Sequence, residues 1–157
     1  MWTQESLLES LRKHCRQDER VVAATLYGSF AVGEGDIINV IIFGLNTLER
    51  GELARSLEIL SLCHRYLLWM ARLVEASTAH WPTPSRRLEQ EVSQASYERF
   101  AQCTAFLERA ALHRAYGSAW TWGVEMMTGL AQHHRLGLPV QLFDLVTQRI
   151  DVRNKQG

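Results

Sequence analysis

A mainly α-helical protein, a helical bundle preceded by a short α/β segment, is what three features of the chain predict. Residues 50–76 and 117–134 carry apolar and polar side chains at helical spacing. The residues between and after them, at 94–104, 106–115 and 140–150, repeat that spacing in shorter blocks. Clear strand character is confined to residues 21–27, where a compact apolar run with β-branched side chains ends at Gly28.

The elements follow in order. Leu7, Leu8 and Leu11 alternate with charge over residues 5–16, the pattern of a short amphipathic helix. The strand at 21–27 comes next, and residues 28–36 hold three glycines, so they turn at least in part. The run Ile37-Ile-Asn-Val-Ile-Ile-Phe43 is too short for periodicity to separate a buried strand from a buried helix. Over residues 50–76, Glu58, Ser61, Arg65 and Arg72 fall on one narrow polar stripe, and apolar side chains cover most of the remaining circumference. Such a helix is central. His80-Trp-Pro-Thr-Pro-Ser85 then breaks the pattern, because each proline removes an N–H and pushes its predecessor out of the α region.

Toward the carboxy terminus, Arg114, Ser118, Thr121, Glu125, Thr128 and Gln132 form one polar face. Trp120, Trp122, Met126, Met127 and Leu130 lie elsewhere on the same helix and read as core. Leu136-Gly-Leu-Pro139 stops it, and the last residues, 153–157, read as a frayed tail.

Composition narrows the function. The chain has 157 residues, 17 Lys+Arg against 17 Asp+Glu, and 46% hydrophobic residues. That suffices for one ordinary domain and leaves no basic excess for nucleic acid or a polybasic membrane anchor. No stretch is apolar enough to span a bilayer and no signal-peptide pattern opens the chain, so a cytoplasmic, soluble protein is expected. Cys15, Cys63 and Cys103 are odd in number and widely spaced, suggesting reduced thiols and neither a disulfide framework nor a structural metal.

A strand ending in Gly28-Ser29 and a loop ending in carboxylates lets backbone N–H groups and a hydroxyl approach a phosphate. In sequence, Tyr27-Gly-Ser-Phe-Ala-Val-Gly-Glu-Gly-Asp36 resembles the first motif of the bacterial lincosamide nucleotidyltransferases. Phe43-Gly-Leu-Asn-Thr-Leu-Glu-Arg-Gly-Glu, His64-Arg-Tyr-Leu-Leu-Trp-Met70, Thr78-Ala-His-Trp-Pro-Thr-Pro-Ser85 and Trp120-Thr-Trp-Gly-Val-Glu125 resemble that family's carboxy-terminal helical domain. The resemblance implies adenylyl transfer from ATP to a hydroxyl of lincomycin or clindamycin, with Mg2+ on an acidic strand offsetting phosphate charge.

This chain departs from the family where that strand would stand. After Asp36 it enters Ile37-Ile-Asn-Val-Ile-Ile-Phe43, which resembles the start of the helical domain, and the alternating acids of the metal strand are missing. The expectation is an internally shortened member: residues 1–36 as a catalytic-domain remnant, residues 37–157 as the helical domain, and little or no turnover by the chain alone. The junction also favours helix over strand for residues 37–43. As a strand, the run would form a two-stranded hairpin with exposed edges, which another chain or the helices would have to cover.

The candidate nucleotide contacts are Gly28 and Ser29, which also read as a relic turn. The candidate drug contacts are Trp81, His64 and Glu125. Trp81 suits a stacking wall or packing under the Pro-fixed turn. His64 reads first as a satisfied core histidine, Glu125 as part of a solvated face, and His133-His134 as imidazoles favoured by a helix carboxy terminus. Neither a metal ligand nor a catalytic residue is assigned. The rival reading is a non-catalytic helical module for binding or homodimerisation.

Overall fold

The computed structural model describes residues 37–154, with side chains as far as Asp151. The expected helix at 5–16, strand at 21–27 and turn at Gly28-Ser29 lie outside the described residues. Six helices make up the described region, and no strand occurs among these residues: α1 (Ile37–Glu49), α2 (Leu53–Val74), α3 (Leu88–Glu91), α4 (Gln94–Gln102), α5 (Arg109–His134) and α6 (Val140–Asn154). Helices α1, α2 and α5 pack on one another; α4 lies against α2 and α5, and α6 against α5. None of the described helices is long and apolar enough to cross a membrane.

The ambiguous run at 37–43 is helical, opening α1 despite four isoleucines and a valine. Ile37, Ile38, Ile41, Gly44, Leu45 and Leu48 are buried, a helical repeat that faces two partner helices at once. Packing overrides the weak helix propensity of β-branched side chains. Gly44 allows closest approach: a Cβ there would lie 1.9 Å from the Tyr116 hydroxyl of α5. That hydroxyl donates to the Ser56 carbonyl (2.7 Å), and the Ser56 hydroxyl donates to the Gly44 carbonyl (3.1 Å), so one buried knot ties α1, α2 and α5. The Thr47 hydroxyl is a second side-chain donor to the Gly44 carbonyl, at 2.8 Å.

The long central helix is shorter than residues 50–76. Gly51, at φ +81°, takes a left-handed turn that carries the chain from α1 into α2, with the Glu52 N–H bonded to the Thr47 carbonyl (3.0 Å). At its other end, Ala76 adopts φ 53° and the Ser77 N–H reaches back to the Arg72 carbonyl (2.9 Å), a Schellman-type stop. Arg72 does not belong to an exposed polar stripe: it is fully buried. Its Nε donates to the Pro84 carbonyl (2.7 Å), Nη2 to the Arg86 carbonyl (2.7 Å), and Nη1 to the Ser77 carbonyl (3.0 Å) and the Glu91 carboxylate (2.9 Å). Helical periodicity ranks arginine as polar, but the Pro-rich strap wraps over this face and supplies acceptors for the guanidinium.

The strap is further fixed by the Trp69 indole N–H, which donates to the Trp81 carbonyl (2.9 Å), and by His80, whose Nδ1 donates to Glu91 (2.8 Å). Beyond it, Ser93 caps α4 by accepting from the Ser96 N–H (3.2 Å). Glu75 accepts from Ser93 N (2.6 Å), Ser93 Oγ (2.7 Å) and Ser96 Oγ (2.5 Å), pinning that cap to the end of α2. Residues 109–134 form one continuous helix, where separate patterns at 106–115 and 117–134 were expected; Gly117 is tolerated inside it because the flanking Tyr116, Ala119 and Trp120 are buried. Helix α6 extends past residue 150 to Asn154 and is held by Trp120 Nε1 donating to Thr147 (2.8 Å), with Trp120 edge-on to Phe143.

Candidate functional site

Helix α2 stops at Val74 while α5 continues to His134, so the two long helices leave a groove where their ends part. It measures about 730 Å³ and is lined by Leu73, Val74 and Ala76 from the end of α2 and by Trp122, Glu125, Met126, Gly129, Leu130, His133 and His134 from α5. A volume of that size lies within the range of small-molecule sites. Trp122 and Met126 are buried floor residues, whereas Leu73 and Val74 are about half exposed on its wall. Gly129 faces open space, leaving the mouth unobstructed. The α5 residues recur at intervals of three and four and so share one face.

Glu125 is the one carboxylate among the lining residues. It pairs with the guanidinium of Arg99 on α4. His133 and His134 sit edge to face in the last turn of α5.

The other two candidate drug contacts do not line this groove. His64 donates from Nε2 to the Cys103 carbonyl (2.8 Å) and meets the Phe100 ring edge-on, joining α2 to the end of α4. Burial lowers its pKa below the ordinary histidine value, with the Cys103 carbonyl partly opposing. Trp81 stacks on Trp69 with ring centroids 6.0 Å apart, Arg65 lies over Trp69, and the Trp81 side chain stays partly exposed. Gly28 and Ser29 lie outside the described residues.

Neither described cysteine has the setting of a nucleophile. Burial pushes the Cys63 thiol far up and the Cys103 thiol up to about 12, the opposite of an activated thiolate. Among the described residues, no group of three His, Cys, Asp or Glu side chains is placed to hold a metal ion.

Periodicity assigned Trp122 and Met126 to the core, which they are, but not to a groove floor. Arg99 was not singled out, because nothing in its local sequence tells that α4 brings it to Glu125, 26 positions away.

Two long helices running in the same direction, α2 and α5, with a partly apolar groove where their carboxy-terminal ends part, define a helical domain. The sequence profile described as "Lincosamide nucleotidyltransferase-like, C-terminal domain" matches residues 31–148, three quarters of the chain. The chain belongs to that family. No curated protein matches it.

Proposed function

We propose that this chain is a drug-binding helical module of the lincosamide nucleotidyltransferase lineage, holding a lincosamide antibiotic in the groove between α2 and α5. In a complete enzyme of the family, ATP and Mg2+ would supply the adenylyl group and its charge neutralisation. Here residues 37–157 follow directly on a short remnant of the catalytic domain, and the chain alone turns over little or no drug. The observation that carries the reading is the groove itself: about 730 Å³, floored by Trp122 and Met126, with a single carboxylate at Glu125. An apolar wall with few polar groups suits a ligand that combines alkyl and sugar-like parts.

Titration with clindamycin, followed by tryptophan fluorescence, tests it. Saturable quenching is expected in the parent and its loss in Trp122→Ala; no saturable change at millimolar drug would refute the groove. A parallel incubation with ATP, Mg2+ and clindamycin, read by mass spectrometry, is expected to show no AMP on the drug. Robust adenylylation would overturn the non-catalytic part.

A second reading, a homodimerisation module, is favoured by Phe106 and Leu107. They lie in the turn before α5, with Phe106 83% exposed. Sedimentation across a concentration series separates the two readings: a dimer dissolved by Phe106→Ser would support it, and a monomer throughout would exclude it.

A further inference from the structure

We infer that Glu125 is an exchangeable counter-ion, and that it selects for this groove a ligand joining an apolar body to a protonated amine. The inference rests on the groove being the ligand site. Apart from Glu125, the lining is apolar but for His133 and His134, so Glu125 carries the groove's only fixed negative charge among the described residues. Its partner Arg99 is not part of the lining; it reaches over from α4, a helix with no fully buried residue. The two side chains are 35% and 57% exposed, and ion pairs this open to water are weak and readily exchanged.

The exchange has a direction. A ligand whose apolar body occupies the space over Trp122, Met126 and Leu130 brings its ammonium to Glu125 already localised, whereas Arg99 can turn its guanidinium to the solvent it partly faces. A neutral ligand gains the apolar contacts and leaves the Arg99 pair intact. An anionic ligand would meet the like charge of Glu125. Glu125 is thus a specificity-determining residue, and Arg99 holds its place when the groove is empty.

The test uses the whole chain and a matched pair of probes, 1-adamantanemethylamine and 1-adamantanemethanol. At about pH 8 the amine is charged, as a lysine side chain of pKa about 10.4 would be. Binding is followed by calorimetry and tryptophan fluorescence, with circular dichroism confirming that each variant is folded. Both probes are expected to bind, the amine about five-fold more tightly. Glu125→Gln should erase that preference while leaving the alcohol's affinity unchanged. Arg99→Gln should tighten the amine a few-fold, again without moving the alcohol. Equal affinities in the parent, or a preference that survives Glu125→Gln, would overturn the exchange and leave the groove standing as a site. If neither probe binds, the groove is not a ligand site and both readings fall together.

Discussion

Replacing Arg72 by methionine should unfasten the Pro-rich strap from α2. The guanidinium donates to three backbone carbonyls, those of Pro84, Arg86 and Ser77, at 2.7, 2.7 and 3.0 Å. Methionine keeps much of the length and apolar volume but none of the donors, so the three carbonyls lose their partner. At about 1 kcal/mol for each hydrogen bond, the loss comes to about 3 kcal/mol. An opposing effect exists: exchanging a buried ion pair for apolar side chains is often neutral or stabilising. It does not win here, because the acceptors are main-chain groups that cannot be substituted away. For a chain of this length the midpoint of thermal unfolding should fall by roughly 6–12 °C. Urea unfolding followed by tryptophan fluorescence gives the free energy, and near-UV circular dichroism reports the Trp69–Trp81 stack, which should weaken as the strap lifts. Arg72→Lys should recover only part of the loss, since one ammonium cannot span the acceptors that the planar fork reaches. Parent-like stability in Arg72→Met, or full recovery in Arg72→Lys, would refute the reasoning.

Three further outcomes are expected. Gly44→Ala should destabilise the fold by about 2 kcal/mol or more, because the new Cβ would displace the Tyr116 ring and break its bond to Ser56; chemical denaturation measures this. His64 has a folded pKa below 6.5, so the stability it contributes is present above that pH and is lost as pH falls through the lowered value; His64→Gln should flatten this slope in a stability-versus-pH series. The Glu91 carboxyl is held below its ordinary value by hydrogen bonds from His80 and Arg72. Burial would raise Glu75, but the bonds from Ser96 and Ser93 together hold it low as well. Both contributions are present above pH 4.5 and lost as pH falls through the lowered folded values, so Glu91→Gln should make acid unfolding less steep below that pH.

Legibility in the sequence differed between elements for identifiable reasons. The long helices could be read because their apolar side chains recur every three or four positions, and the stop at residues 136–139 because glycine and proline punctuate the chain there; the turn at Gly51 could not, since the helical pattern was read through it from residue 50. Residues 37–43 could not be resolved from their own pattern: a run of isoleucines fits any buried element until its neighbours are known. Arg72 was misplaced for a related reason, since periodicity assigns faces but cannot tell which polar side chain will meet a ring of carbonyls.

The candidate site divides along the same line. Glu125 could be named from the sequence because a carboxylate on a helix face is a local fact, as could the family membership of the helical domain. The groove came only with the tertiary structure, because it is made by one helix stopping at Val74 while another runs on to His134. The sequence by itself determined where helices form, which faces are apolar and which lineage the chain belongs to, since these depend on contacts a few residues apart. Which buried face meets which, whether Trp81 is free or stacked, and what pairs with Glu125 were decided by the packing of distant segments, a choice that local propensity does not encode.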